Sequence, residues 1–177
     1  KIFDTITRLE LSREGFDGAF MHVSPDAKPS SVFLKNPATI KVDGLIYLPG
    51  VTNNPIKRGG AVFWNIWRDP APVLPDKASN EDVALWLKHL NYLYPDKDEQ
   101  AHLLNWMAST LQQPQVKINH ALLLAGNMGV GKDMLLNPLR YGLGEDNICE
   151  PPSGELKETF TDYLHHSKLV VFQEIQL

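Results

Sequence analysis

The chain has 177 residues, a net charge of −4, and 43% hydrophobic against 21% charged residues. That is room for one domain with a real core or two small ones, in the ordinary range for a globular protein. No apolar run approaches the roughly 18 residues a membrane helix needs, the N-terminus lacks a secretory apolar segment, and the acidic balance gives no overall electrostatic case for nucleic acid.

The single cysteine, Cys149, excludes an intrachain disulfide and fits a cytoplasmic location. The ends at Lys1 and Leu177 read as those of a piece of something longer. Most of the 13 prolines precede Asn80: Pro25, Pro29, Pro37, Pro49, Pro55, Pro70, Pro72 and Pro75. Proline and glycine at that density exclude long helices. Short β-like runs are expected at Gly18–Val23, Ser31–Leu34, Thr39–Val42, Leu45–Leu48 and Ala61–Trp67. Residues 1–79 therefore read as a β-rich, proline-rich lead-in, and residues 80–177 as a second region.

From Asn80 the period changes. Ser79 or Asn80 caps a helix whose apolar face is Val83, Trp86, Leu87, Leu90 and Leu93, and Pro95 ends it. Asp96 or Asp98 caps the next, with Leu103, Leu104, Met107, Ala108 and Leu111 as its face and Pro114 beyond it. Two antiparallel helices with a tight turn are expected. The unbroken apolar run INHALLLAG, Ile118–Gly126, suits a parallel strand covered on both faces. A helix is expected from about Lys132 to Leu143, closed by Gly144 and kinked or shortened by Pro138, whose ring meets the carbonyl of Met134. A short strand at Asn147–Cys149, a helix over Ser153–His165 and a buried strand at Lys168–Phe172 complete the order.

The stretch GNMGVGKD, Gly126–Asp133, has the G-x-x-x-x-G-K shape of a phosphate loop. Glycines let backbone N–H groups approach an anion, a following helix points its positive end there, and Lys132 adds a mobile charge. The usual Ser or Thr after the lysine is replaced by Asp133, a hard oxygen ligand able to hold Mg²⁺. Strand, loop and helix come in the required order. In KLVVFQEI, an apolar run ends in Glu174, on a strand expected to lie parallel to the loop strand. Its acid would sit at the carboxyl end of the sheet, where Glu174 would polarise water or hold a metal-bound water. Gln173 stands where such motifs often have an acid. The competing readings are a glycine-rich turn with an exposed lysine, and a strand ending in a solvated glutamate.

These motifs, with VDGLIYLPG (Val42–Gly50), AVFWNIWRDPAPVLP (Ala61–Pro75) and the paired helices, resemble the phage and plasmid primase–helicase family. Its ATPase module belongs to the superfamily 3 helicases, and a Gly-Lys-Asp loop is familiar there. The resemblance implies an α/β fold with an AAA+-like P-loop core, its parallel sheet incomplete here, preceded by a helical hairpin and the β-rich segment. It implies ATP and Mg²⁺ bound by Gly126, Asn127, Met128, Gly129, Val130, Gly131, Lys132 and Asp133, with Lys132 and Glu174 serving hydrolysis and Asp133 and Glu174 the metal. It implies single-stranded DNA as partner, a homo-hexameric ring in the full-length parent, a primase domain or partner, and no membrane. A sensor Asn, a DNA-contacting hairpin and an arginine finger would follow Leu177, so the chain alone is expected to hold half a site and be inactive as a motor. Two other functions are open: a nucleotide-binding scaffold or helicase loader without turnover, and a P-loop nucleotide phosphotransferase. The six histidines make no ligand spacing with Cys149. Trp64 and Trp67, beside Lys57, Arg58 and Arg68, suit local packing better than a stacking platform for single strands.

Overall fold

Caps and turn residues, more than strand propensity, decide the elements of the first third of the chain. The computed structural model describes residues 1–177 except 8, 71, 73–76, 78, 153–165 and 174–177. The chain divides into two units, Lys1–Ile46 with Asn53–Ile66, and Tyr47–Thr52 with Trp67–Leu177.

In the first unit, β1 (Ile2–Phe3) pairs antiparallel with β2 (Glu10–Leu11), Ile2 opposite Leu11. The strand expected at Gly18–Val23 is instead the end of helix α1 (Arg13–Phe20) and the turn after it. The side chain of Ser12 accepts from the Gly15 N–H (3.0 Å), Glu14 occupies the first turn, and Phe16 and Phe20 meet one turn apart. The strand expected at Ser31–Leu34 is helix α2 (Pro29–Lys35). Pro29 opens this helix, where its missing N–H costs nothing, so the residue read as a breaker is a starter. Asp17 ties the two helices, accepting from Ser30 N–H (2.7 Å) and Ser30 Oγ (3.0 Å). The backbone bond from Ser30 holds the Asp17 carboxyl below its ordinary value.

Three strands follow, β3 (Gly44–Ile46), β4 (Ile56–Arg58) and β5 (Ala61–Asn65), in the order β3-β5-β4. β3 runs parallel to β5 and β4 antiparallel to it. Gly59 and Gly60 join β4 to β5 with φ of 58° and 84°, the two left-handed residues a type I′ hairpin needs. The runs at Leu45–Leu48 and Ala61–Trp67 are thus strands in part, and Thr39–Val42 is not one.

The second unit has a core of Trp67, Leu90, Leu103, Met107, Leu135, Leu139, Leu143 and Leu169. Helix α3 (Asn80–Leu93) starts where Asp82 accepts from the Ser79 N–H (2.8 Å) and hydroxyl (3.1 Å). Helix α4 (Lys97–Gln112) starts where Asp96 accepts from the N–H of Asp98 (2.9 Å) and Glu99 (3.0 Å). Each is followed by its proline, as expected. The buried stripe of α3 is narrower than expected: Leu90 is buried, but Val83 is 47% and Leu87 39% exposed. Each helix packs chiefly on the segment after the glycine loop, α3 on a 3₁₀ turn (Lys132–Leu136) and α4 on helix α5 (Asn137–Leu143). Leu135, Leu139 and Leu143 recur every four residues through that turn and α5, all essentially inaccessible. Burying each contributes ~1.5–3 kcal/mol.

The run Ile118–Gly126 is not a strand covered on both faces. It has no ladder partner among the described residues, and Leu122 and Leu124 pack on the core while Leu123 is 74% exposed. The expected parallel pairing of the loop strand with Lys168–Phe172 is likewise absent among the described residues. Instead β7 (Leu169–Val170) runs parallel to β6 (Ile148–Cys149), with Ile148 opposite Leu169. Lys168 N–H to Asn147 O (2.8 Å) and Val171 N–H to Cys149 O (2.9 Å) extend that ladder. The helix expected at Ser153–His165 lies outside the described residues. No helix among them is long and apolar enough to cross a membrane.

Candidate functional site

The segment between Ala125 and Leu136 turns on three glycines, all in backbone conformations that other residues rarely adopt. Gly126, Gly129 and Gly131 have φ of 152°, 75° and 85°. Met128, at the tip, is 89% exposed. The N–H groups of Met128, Gly129 and Gly131 have no backbone acceptor among the described residues. The Lys132 side chain folds back over the loop. Its ammonium donates to the carbonyls of Asn127 (2.8 Å) and Gly126 (3.1 Å), so the cation and the loop that an anion would need are held together.

An α-helix was expected from Lys132, but its first five residues form a 3₁₀ turn, and α5 begins only at Asn137 with Pro138 in its first turn. The cause is local. Pro138 has no N–H to give to the Met134 carbonyl, and its ring would collide with it. That carbonyl is satisfied otherwise, by the Asn137 N–H and by Trp86 Nε1 (3.3 Å). The anticipated break is therefore present, one residue before the proline. A single 3₁₀ turn carries far less aligned dipole than an α-helix, so an anion at this loop would have to be held by Lys132 and the N–H groups.

Trp86 is one of three α3-side residues that reach this segment. His89 Nε2 lies 2.9 Å from Gly131 O, and Tyr94 Oη donates to Ala125 O (3.4 Å). Sequence reasoning placed Trp86 on the apolar face of its helix and weighed His89 only among the histidines, which it found to make no metal-ligand spacing. The one available signal was that α3 carries aromatic residues with polar tips along the side that also holds Leu90.

Asp133 is exposed, with no cluster of three or more His, Cys, Asp or Glu to join among the described residues. It supplies one hard oxygen donor, enough for Mg²⁺ only if phosphate oxygens complete the shell. Its charge reaches Arg140. The hydrogen bond from Arg140 to Glu150 raises the guanidinium pKa above its ordinary value, and the charges of Glu150, Glu145 and Asp133 add to that. The other oxygen of Glu150 accepts from Gln173 Nε2 (3.1 Å). The end of β7 is thereby tied to the end of β6, and through Arg140 to α5. Glu174, expected to serve hydrolysis and metal, lies outside the described residues.

Trp67 is buried against Tyr47 (ring centroids 5.9 Å apart), and Arg68 pairs with Asp146 (2.6 Å). Trp64 is half-buried in β5. Lys168 donates to Val116 O (2.7 Å), and burial pushes its amine pKa down. Comparison with family models, curated proteins and solved structures gave no match.

Proposed function

We propose that the chain is part of an ATP-dependent DNA helicase of the primase-associated type found in phages and plasmids, with a P-loop ATPase core. The observation that carries this reading is the loop: three glycines at positive φ and a lysine whose ammonium curls over them. In this reading the backbone of Gly126–Gly131 and the Lys132 ammonium hold the phosphates of ATP, and Asp133 is an oxygen ligand to Mg²⁺. Bound Mg²⁺ offsets phosphate charge, which also relieves the repulsion that Asp133 alone would impose. Glu174 serves hydrolysis. Single-stranded DNA is the track, a homo-hexameric ring the working form, and a primase domain the expected companion.

The test uses the full-length protein. Lys132→Ala should lower DNA-stimulated ATP hydrolysis at least about a hundredfold, since it removes the charge aimed at the outer phosphates. Full hydrolysis by that variant sinks the proposal. A second reading, nucleotide binding without turnover, is favoured by one observation: Gln173, uncharged, is engaged with Glu150 just before the acid. Tight Mg·ATP binding by the full-length protein, with no hydrolysis in the presence of single-stranded DNA, would select it.

A further inference from the structure

Three carbonyl oxygens of the loop segment, on Ala125, Gly131 and Met134, face side-chain donors from α3 and its C-cap. A peptide group is planar, and in its trans form the carbonyl and the following N–H point in opposite directions. Fixing a carbonyl therefore aims the next N–H the other way. The bond at Gly131 O matters most. It is the shortest of the three, at 2.9 Å, and the N–H it orients belongs to Lys132. Lys132 and Asp133 precede the first bond of the 3₁₀ turn, from Met134 N–H to Gly131 O (3.1 Å), so their N–H groups are not used within it.

His89 also explains the residue at position 131. A Cβ there would lie 3.0 Å from His89 Nε2 and 3.1 Å from Cε1. The space of the missing side chain is taken by the imidazole. Gly131 is thus needed for its φ of 85° and for the approach of His89. Because the carbonyl can only accept, His89 donates here through an Nε2–H.

We propose that His89 is a positioning residue of the phosphate loop, setting the Gly131–Lys132 peptide so that the Lys132 N–H is presented to the nucleotide. This rests on the nucleotide-binding reading of the loop. The residue lies 42 positions before Gly131 and touches no phosphate in this role.

The experiment measures two quantities on the full-length protein. One is equilibrium binding of a fluorescent ATP analogue with Mg²⁺; the other is amide hydrogen exchange of residues 128–133 without nucleotide. The variants are Lys132→Ala, His89→Leu, which keeps apolar bulk without a donor, and His89→Gln, whose amide N–H can donate. Lys132→Ala should abolish binding. His89→Leu should weaken it about five- to tenfold and speed loop exchange by a similar factor, the loss of one hydrogen bond. His89→Gln should restore both to within about twofold. If Lys132→Ala abolishes binding while both His89 variants match the parent, the positioning role is wrong and the phosphate loop stands. If Gln fails as badly as Leu, His89 acts by packing and the proposal is overturned. If the parent chain does not bind, or Lys132→Ala binds as well as it does, the nucleotide reading falls and this proposal with it. The exchange data would then record a purely structural contact.

Discussion

Asn147 is fully buried, and its side chain satisfies three groups from different parts of the second unit. Its amide donates to the carbonyls of Arg68 (2.7 Å) and Leu143 (2.8 Å), and its oxygen accepts from Tyr47 Oη (3.2 Å). Leu143 is the last residue of α5, so its carbonyl has no partner further along the helix. Replacing Asn147 by Ala deletes three bonds, each worth about 1 kcal/mol net. A small cavity adds to this. The expected loss is about 3–5 kcal/mol, a large part of the stability of a unit this size. Tyr47→Phe removes only the longest bond and should cost about 1 kcal/mol or less. Urea unfolding followed by tryptophan fluorescence reads both, since Trp67 packs edge-on against Tyr47 in the same core. With a slope of roughly 2 kcal/mol/M, Asn147→Ala should shift the midpoint down by about 1.5–2.5 M. A shift below about 0.5 M would mean that these bonds do not hold the unit, and the account of its core would be wrong.

Gly144 has φ 70° and ψ 148°, a conformation close to glycine-only, and a Cβ there would lie 3.3 Å from Pro70 Cβ; Gly144→Ala should destabilise by about 1–3 kcal/mol in the same assay. Gly142→Ala should stay within about 1 kcal/mol, although its Cβ would fall 2.6 Å from Leu111 Cδ2, because that methyl can rotate away and alanine favours the helix. The Asp82 carboxyl is held below its ordinary pKa, first by the Ser79 N–H and then by its hydroxyl. A depressed folded pKa gives stability that is present above the unfolded value and lost as pH falls through the folded one. The start of α3 should therefore fray below about pH 4, visible as faster amide exchange at Asn80–Asp82, and Asp82→Asn should abolish that pH dependence. Asp133→Ser should make affinity for the ATP analogue less dependent on Mg²⁺, because the carboxylate repels phosphate when no metal is present; an unchanged ratio of affinities with Mg²⁺ and with EDTA would refute a role for Asp133 beside phosphate.

What could be read from the sequence was whatever is decided within a few residues. The starts of α3 and α4 are written in Ser79, Asp82 and Asp96, and their ends in Pro95 and Pro114. The break after the loop is written in Pro138. Local signals with two meanings were read wrongly. Pro29 starts α2 rather than blocking a helix, and Gly18 sits inside α1 because Ser12, Glu14 and the Phe16–Phe20 contact outweigh one poor helix former. The run at Ile118–Gly126 fails for the opposite reason. Its apolar character is plain, but whether it pairs is decided by strands distant in sequence, and among the described residues β7 pairs with β6.

The same division runs through the candidate site. The glycines and Lys132 were legible because the backbone dihedrals they permit are properties of single residues. The three donors from the α3 side were not, because a side chain 42 residues away in sequence leaves no mark on the loop's pattern. Nor was the destination of Lys132. Its ammonium sits on the Gly126 and Asn127 carbonyls, so the Asn127 and Met128 N–H groups, antiparallel to those carbonyls across planar peptides, point away from it. An anion meeting the ammonium from within the loop would therefore face two carbonyl oxygens before any N–H. For the loop to cradle phosphate, the peptides flanking Asn127 must turn over as the lysine lets go. Gly126, with φ of 152°, is the residue that allows the first of these rotations at low cost. The glycine pattern thus carries two demands at once, the shape with the lysine folded in and the freedom to leave it. In the role proposed for it, His89 would hold the other end of the loop fixed during such a change.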